Sequence, residues 1–204
     1  MDKIDLRKKY HDLYSPSKKD FSINEVPPLQ YVMVDGSGDP AVSQRYADTI
    51  QTLYSISYTL KFMFKKERGI DYTVMGLEGL WWMPDMNEFS LANRSRWLWT
   101  SMMLQPDFVT PADFEEARRQ VLAKGKAPLA AEARLETYQE GLVCQIMYFG
   151  AYADEAPTIA AMHQFIAANG YQLNLKHHEI YLSDARRVPP EKNRTILRQP
   201  VKKS

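Results

Sequence analysis

The sequence predicts an α+β fold built from two βαββ units, and three observations predict it. Both halves carry a strand pattern that runs into a glycine loop, Val34-Asp35-Gly36 and Tyr148-Phe149-Gly150, and each loop is followed by an amphipathic helix. Beyond each helix lies a strand with a carboxylate among apolar neighbours, Leu77-Glu78-Gly79-Leu80-Trp81 and His178-Glu179-Ile180-Tyr181-Leu182. The 204 residues are 45% hydrophobic and 25% charged, enough apolar material for a real core.

Taken in order, residues 1–27 read as a polar lead-in with a short helix over Leu6 to Leu13, closed by Pro27-Pro28. The domain then runs over 28–204, with a first half at about 28–108, a connector helix at about 110–126 and a second half at about 134–201. Leu29 to Val34 is rich in β formers and ends at the loop signal Asp35 to Pro40. From Ser43 to Lys66, Ile50, Leu53, Ser57, Leu60 and Phe64 recur at helical steps, with Tyr54, Tyr58 and Phe62 widening the stripe and Gly69 ending it. Tyr72 to Met83 and Ser95 to Leu104 read as two strands around a loop holding Pro84, Asp85 and Asn87. Thr110-Pro111 starts the connector helix, with Thr as cap and Pro in the first turn, and Gly125 ends it. In the second half, Leu135 to Phe149 forms one or two strands broken at Glu140-Gly141. Pro157 to Asn169 is a helix closed by Gly170, and Tyr171 to Leu182 and Arg194 to Val201 are strands.

Charge and cysteine content exclude several function classes. Lys plus Arg (26) against Asp plus Glu (25) leave a net charge of +1, which gives no long-range pull toward nucleic acid or anionic membrane. Cys144, the one cysteine, sits in an apolar run and reads as a buried inert thiol. The N-terminal residues lack the apolar core of a signal peptide and no run reaches membrane-spanning length, so a cytoplasmic protein is expected, in which the sequons at Asn93 and Asn193 carry no meaning. His177 and His178 fall on opposite faces of a strand, so no metal site is expected, and Gly36-Ser37-Gly38 lacks the context of a nucleotide fingerprint, so no cofactor is expected. No Gly-x-Ser-x-Gly elbow occurs.

The unusual feature is aromatic. Four Trp and twelve Tyr are present, and the Trp residues gather at Trp81-Trp82, Trp97 and Trp99. On the second-half strand, alternation puts His177, Glu179 and Tyr181 on one side and Ile180 and Leu182 on the other. Glu179 then either faces a chamber as its acid or is a surface residue paired with Arg186 or Arg187. A carboxylate walled by rings has its charged form disfavoured unless a donor compensates, which suits proton transfer near neutral pH. Glu78 is its counterpart in the first half, and following Glu78, Leu80 and Trp82 as one face favours Trp82 as chamber lining. Trp97 and Trp99 share a face and suit stacking on a flat ligand, with plain core packing as the alternative. Tyr148 and Tyr152 flank the second glycine loop as rim residues.

The stretch His177-His178-Glu179-Ile180-Tyr181-Leu182-Ser183-Asp184, with Arg186-Arg187, Pro190-Glu191-Lys192 and Thr195 to Val201, resembles the C-terminal signature of the GyrI-like small-molecule-binding family. Asp71-Tyr72, Leu77 to Trp82, Met102, Gln105 to Phe108 and Gly150-Ala151-Tyr152 extend the resemblance over nearly the whole chain. It implies a duplicated βαββ fold whose antiparallel sheets flank a ligand groove on a pseudo-two-fold axis. The paired Trp is similar to a stand-alone subgroup of cyclopropanoid cyclopropyl hydrolases, which open the strained ring of DNA-alkylating compounds. Many members have Pro at the position of Ala151 and His at that of Tyr148, so this chain departs from the pattern at that edge. The resemblance implies Glu179 and Tyr181 as catalytic residues, a flat apolar or cationic small molecule as partner, and detoxification as the role. Non-catalytic sequestration of multidrug-type lipophilic cations is the alternative, and interaction with gyrase a third. Only 27 residues precede the first domain residue, too few for a folded DNA reader.

Overall fold

The computed structural model describes residues 3–86, 89–184 and 187–204; Asn87 and Arg186, named above for a loop and an ion pair, lie outside them. In chain order the described elements are α1 (Leu6–Lys9), α2 (His11–Tyr14), β1 (Ser22–Val26), β2 (Leu29–Ser37), α3 (Gln44–Arg68), β3 (Glu78–Trp82), β4 (Leu98–Leu104), α4 (Pro111–Ala123), β5 (Arg134–Tyr138), β6 (Gly141–Phe149), α5 (Ala156–Ala168), β7 (Tyr171–Leu173), β8 (His177–Tyr181) and β9 (Arg194–Lys203). All strand pairings are antiparallel, in the order β1-β6-β9-β8-β3-β4-β2-β5, with β7 added on β9.

That order shows the duplication. β2-β4-β3 and β6-β9-β8 are the same arrangement reflected about the β3–β8 seam, and a long helix follows the first strand of each. The preceding strands are exchanged between halves: β1 pairs with β6 and β5 pairs with β2. The exchange also forces curvature. Val26 of β1 and Leu29 of β2 are three residues apart and so within about 11 Å, whereas six strand spacings in a flat sheet would separate them by about 29 Å. The sheet therefore curls until its ends nearly meet.

Two surfaces result. On the inner one, Val26, Tyr31, Met33, Leu80, Met102, Val143, Ile180 and Ile196 come from strands across the whole sheet, yet form one cluster with Leu6, Leu13 and Tyr14. Residues 3–27 thus correct the expected polar lead-in: its short helix is two, α1 and α2, which plug the curled sheet, and β1 is one of the sheet's strands. A polar chain crosses this interior. Glu78 accepts from the Tyr14 hydroxyl (2.7 Å) and meets His178 (Oε2–Nε2, 3.0 Å), His178 meets Glu140 (Nδ1–Oε1, 2.9 Å), and Arg198 donates to Glu140 (3.1 Å) and to the Leu13 carbonyl (2.7 Å). Burial works against a charged His178, but the Glu140 charge and its bonds to Glu140 and Glu78 outweigh it and raise its pKa. Burial likewise opposes the Glu140 carboxylate, and His178 and Arg198 overcome it, holding the carboxyl at about 2. Two acids and two bases balance in charge, which lets four such groups share a dry interior.

On the outer surface, α3 and α5 lie over the two halves. α3 starts at Ser43, whose hydroxyl accepts from the Tyr46 N–H, and ends at Gly69 in the left-handed region (φ 67°). Its Leu53, Ile56, Leu60 and Phe64 pack on Val32, Val34 and Met103, with α4 alongside. α4 carries the expected Thr110 cap in a capping box with Asp113. α5 packs Met162 and Ile166 on Cys144, Ile146 and Leu197, and burial pushes the Cys144 thiol up to about 12. Three expected strands are shorter than predicted. Tyr72–Leu77 is coil bearing one bridge to Ile4, a helical turn (Leu91–Arg96) precedes β4, and Tyr171–Leu182 divides at Leu175, which sits at φ 52°.

Candidate functional site

Between α3 and α5 the sheet is left uncovered, and a cavity of about 1490 Å³ opens over the β3–β8 seam. Its floor comes from β8, where His177, Glu179 and Tyr181 alternate outward while His178 and Ile180 point into the interior. Trp81 of β3 completes the floor, Tyr46, Ile50 and Tyr54 of α3 form one wall, and Ile159 and His163 of α5 the other. Trp97, Phe89, Tyr152 and Glu155 stand at its ends and rim.

The floor is wired together. Tyr181 donates its hydroxyl proton to Glu179 Oε2 (2.8 Å), and Trp81 Nε1 donates to the Tyr181 oxygen (3.1 Å). Burial and the adjacent Glu179 charge push the Tyr181 phenol far up, so it stays a donor. The rings meet edge-on or tilted: Tyr152 with Tyr181 at 5.6 Å, Trp81 with Trp97 at 5.6 Å, and Tyr46 with Trp81 at 6.0 Å, while Phe89 stacks on Trp97 at 4.9 Å. Burial and the Glu179 charge push the Tyr152 phenol up to about 12.

A second acid joins Glu179. Glu155, at the start of α5, is 3% exposed and lines the cavity. Burial first, then the facing charge of Glu179, drives its pKa well above the carboxylate range, so Glu155 holds its proton at neutral pH. A buried acid and a partly exposed one whose surroundings differ in this way can divide the roles of proton donor and proton acceptor. Sequence reasoning missed Glu155, because an acid just before Ala156-Pro157 at a helix start reads as a dipole partner. It also missed Trp81, Tyr46, His163 and Phe89.

Of the expected site residues, Glu179, Tyr181, Trp97 and Tyr152 are brought together here, and four are not. Glu78 and Trp82 face the inner side: Glu78 is consumed by Tyr14 and His178, and the Lys176 ammonium lies 3.4 Å over the Trp82 ring. The register explains this, since Gly79, not Glu78, lies opposite Glu179, and a shift of one residue exchanges faces. Trp99 is fully buried, lying over Gly36, where a Cβ would come within 2.0 Å of its ring, and packing edge-on to Tyr46 at 5.1 Å. It supports the wall from behind. Tyr148 folds back over Gly150 and donates to the Ala151 carbonyl (3.2 Å) on a different surface. Arg187, the alternative partner for Glu179, pairs with Asp184 instead (3.4 Å).

Among the described residues no helix is long and apolar enough to cross a membrane. No protein among those curated for function matches the chain. Solved structures do. An uncharacterized conserved protein from Listeria innocua is 40% identical, with 98% of this chain and 100% of that one covered and a TM-score of 0.91. Two structures described as hydrolases from Listeria innocua are 39% and 38% identical over the same shares, with TM-scores of 0.89 and 0.86. The model of the GyrI-like small molecule binding domain matches residues 19–202. With nearly the full chain spanned by that match, and with the mirrored βαββ halves enclosing one aromatic groove, this protein belongs to the GyrI-like small molecule binding domain family.

Proposed function

We propose that the groove binds flat, apolar electrophiles and hydrolyses them, the best candidate being the strained cyclopropane of a DNA-alkylating compound, so that the protein detoxifies it. The observation that carries this reading is that Glu179 and the buried Glu155 line one aromatic chamber. The close relatives described as hydrolases support the reaction class. A flat ligand lies against the cluster of Trp81, Trp97 and Tyr46 rings. Glu179 takes a proton from a water as the water oxygen bonds to a ring carbon. The ring C–C bond breaks, its electron pair moves into the conjugated carbonyl, and Glu155 delivers the proton that this oxygen gains. Strain relief drives the step, and the protein supplies positioning and one acid–base pair.

Incubation with a cyclopropane-bearing alkylator is expected to give a product heavier by one water. Glu179→Gln should slow that conversion at least ~100-fold. Undiminished turnover in Glu179→Gln would sink the assignment. A second reading rests on the same carboxylate among rings, which also fits a lipophilic cation held by charge and cation–π attraction. It predicts tight binding of a cationic dye whose mass never changes, weakened strongly by the same substitution.

A further inference from the structure

We propose that the end of the groove beyond Glu179 is a polar subsite, in which His177 and His163 hold a neutral hydrogen-bonding substituent of the ligand, above all a hydroxyl. The proposal deepens the hydrolase reading by naming what the flat ligand must carry.

His177 is 3% exposed, faces the cavity from the first position of β8, and neither of its ring nitrogens has a hydrogen-bond partner. Its approach to Glu179 (Nε2–Oε1, 3.6 Å) is too long for a hydrogen bond. His163 reaches the same end from α5, and its Nε2 is also buried and unpartnered. Buried polar groups are nearly always satisfied, so two adjacent imidazoles with unused nitrogens over a cavity mark a place where something else completes them.

The chemistry of the partner follows from the neighbours. Burial, then the neighbouring His177, lowers the His163 pKa and keeps that ring neutral. A neutral His163 imidazole offers one donor and one acceptor, so it suits a group that both gives and takes a hydrogen bond, and the two unpartnered nitrogens of His177 add a second polar contact. The Glu179 carboxylate, on the same strand face as His177, repels an anion. Among the described residues no group of three or more His, Cys, Asp or Glu side chains is placed to hold a metal ion. Position sets the geometry. His177 and Glu179 are two residues apart on one strand, about 6.7 Å along it, which is close to the length of a fused bicyclic ring. Trp81 pairs with His177 across the seam while its indole lies over Gly79, opposite Glu179, so a ring against that indole sits between the carboxylate and the imidazoles. Tyr181, Glu179 and His177 thus form a row of phenol, carboxylate and imidazole under one flat ligand.

Naphthalene and 2-naphthol, differing by one hydroxyl, test the subsite through quenching of tryptophan fluorescence in the full-length protein. The wild type should bind 2-naphthol about tenfold more tightly. His177→Phe and, separately, His163→Leu should reduce that preference below about twofold while naphthalene affinity stays within about threefold. Thermal melts establish that each variant is folded, and His163→Leu decides alone if the other is not. An unaltered preference in both variants, or none in the wild type, overturns the subsite. So does a preference that vanishes only in Glu179→Gln, because the hydroxyl then belongs to the carboxylate. Failure of both probes to bind the wild type strikes the groove reading itself, a separate result.

Discussion

Trp81 can reach Tyr181 because Gly79, two residues earlier on the same face, has no side chain. A Cβ built there lies 2.8 Å from Trp81 Nε1, so the indole lies flat over the glycine. Gly79→Ala should tilt the ring away, weakening binding of a flat aromatic probe at least tenfold and costing about 1–3 kcal/mol in denaturant unfolding. Glu155 gives a prediction with a definite sign. Its folded pKa lies above the ordinary 4.5, so its stabilising contribution is complete below pH 4.5 and is lost as pH rises toward the folded value. Glu155→Gln should therefore raise the melting temperature, by little near pH 5 and by more near pH 8, as scanning calorimetry would reveal. At this scale Glu179 and Tyr181 were legible, since strand alternation alone puts them together. Trp81 was not. The reading aligned Glu78 with Glu179, and cross-strand register, which no local pattern states, aligns Gly79 there instead.

Among elements, the helices and their caps follow from residues close in sequence: Ser43 and Gly69 bound α3, and Thr110 with Asp113 starts α4. The β1 segment was illegible for the opposite reason, and the short helix read over Leu6 to Leu13, which is two helices, gave no sign of its buried face. Four-residue helices have no periodicity to detect, and β1 finds its partner β6 more than a hundred residues away. Their burial makes a prediction that sequence reasoning would have reversed. A protein beginning at residue 28 should not be a trimmed domain but should fail to fold cooperatively, because Leu6, Leu13 and Tyr14 leave the inner cluster and β6 loses its edge partner. Near-ultraviolet circular dichroism would show loss of fixed aromatic signals. A sharp native-like melt for the truncated chain would disprove the plug.

Over the whole molecule, the interior ion network sets a pH window. Glu140, held at about 2 against an ordinary 4.5, stabilises above pH 4.5 and loses that contribution as pH falls toward about 2. His178, raised above its ordinary 6.5, contributes fully below pH 6.5 and less as pH climbs through its folded value. With Glu155 adding to the alkaline loss, urea midpoints should peak on the acidic side of neutrality, at about pH 4.5–6.5, and Arg198→Met should flatten the acid limb while lowering the peak. A maximum above pH 8 would contradict the network. β8 ties this window to the groove, since Glu179 faces the cavity and His178, the next residue, faces the buried acids. The chamber thus stands on a keystone strand mortared from beneath. Relatives adapting to differently shaped compounds are expected to vary the facing sides of α3 and α5, the movable panels of the room, and to leave its floorboards alone.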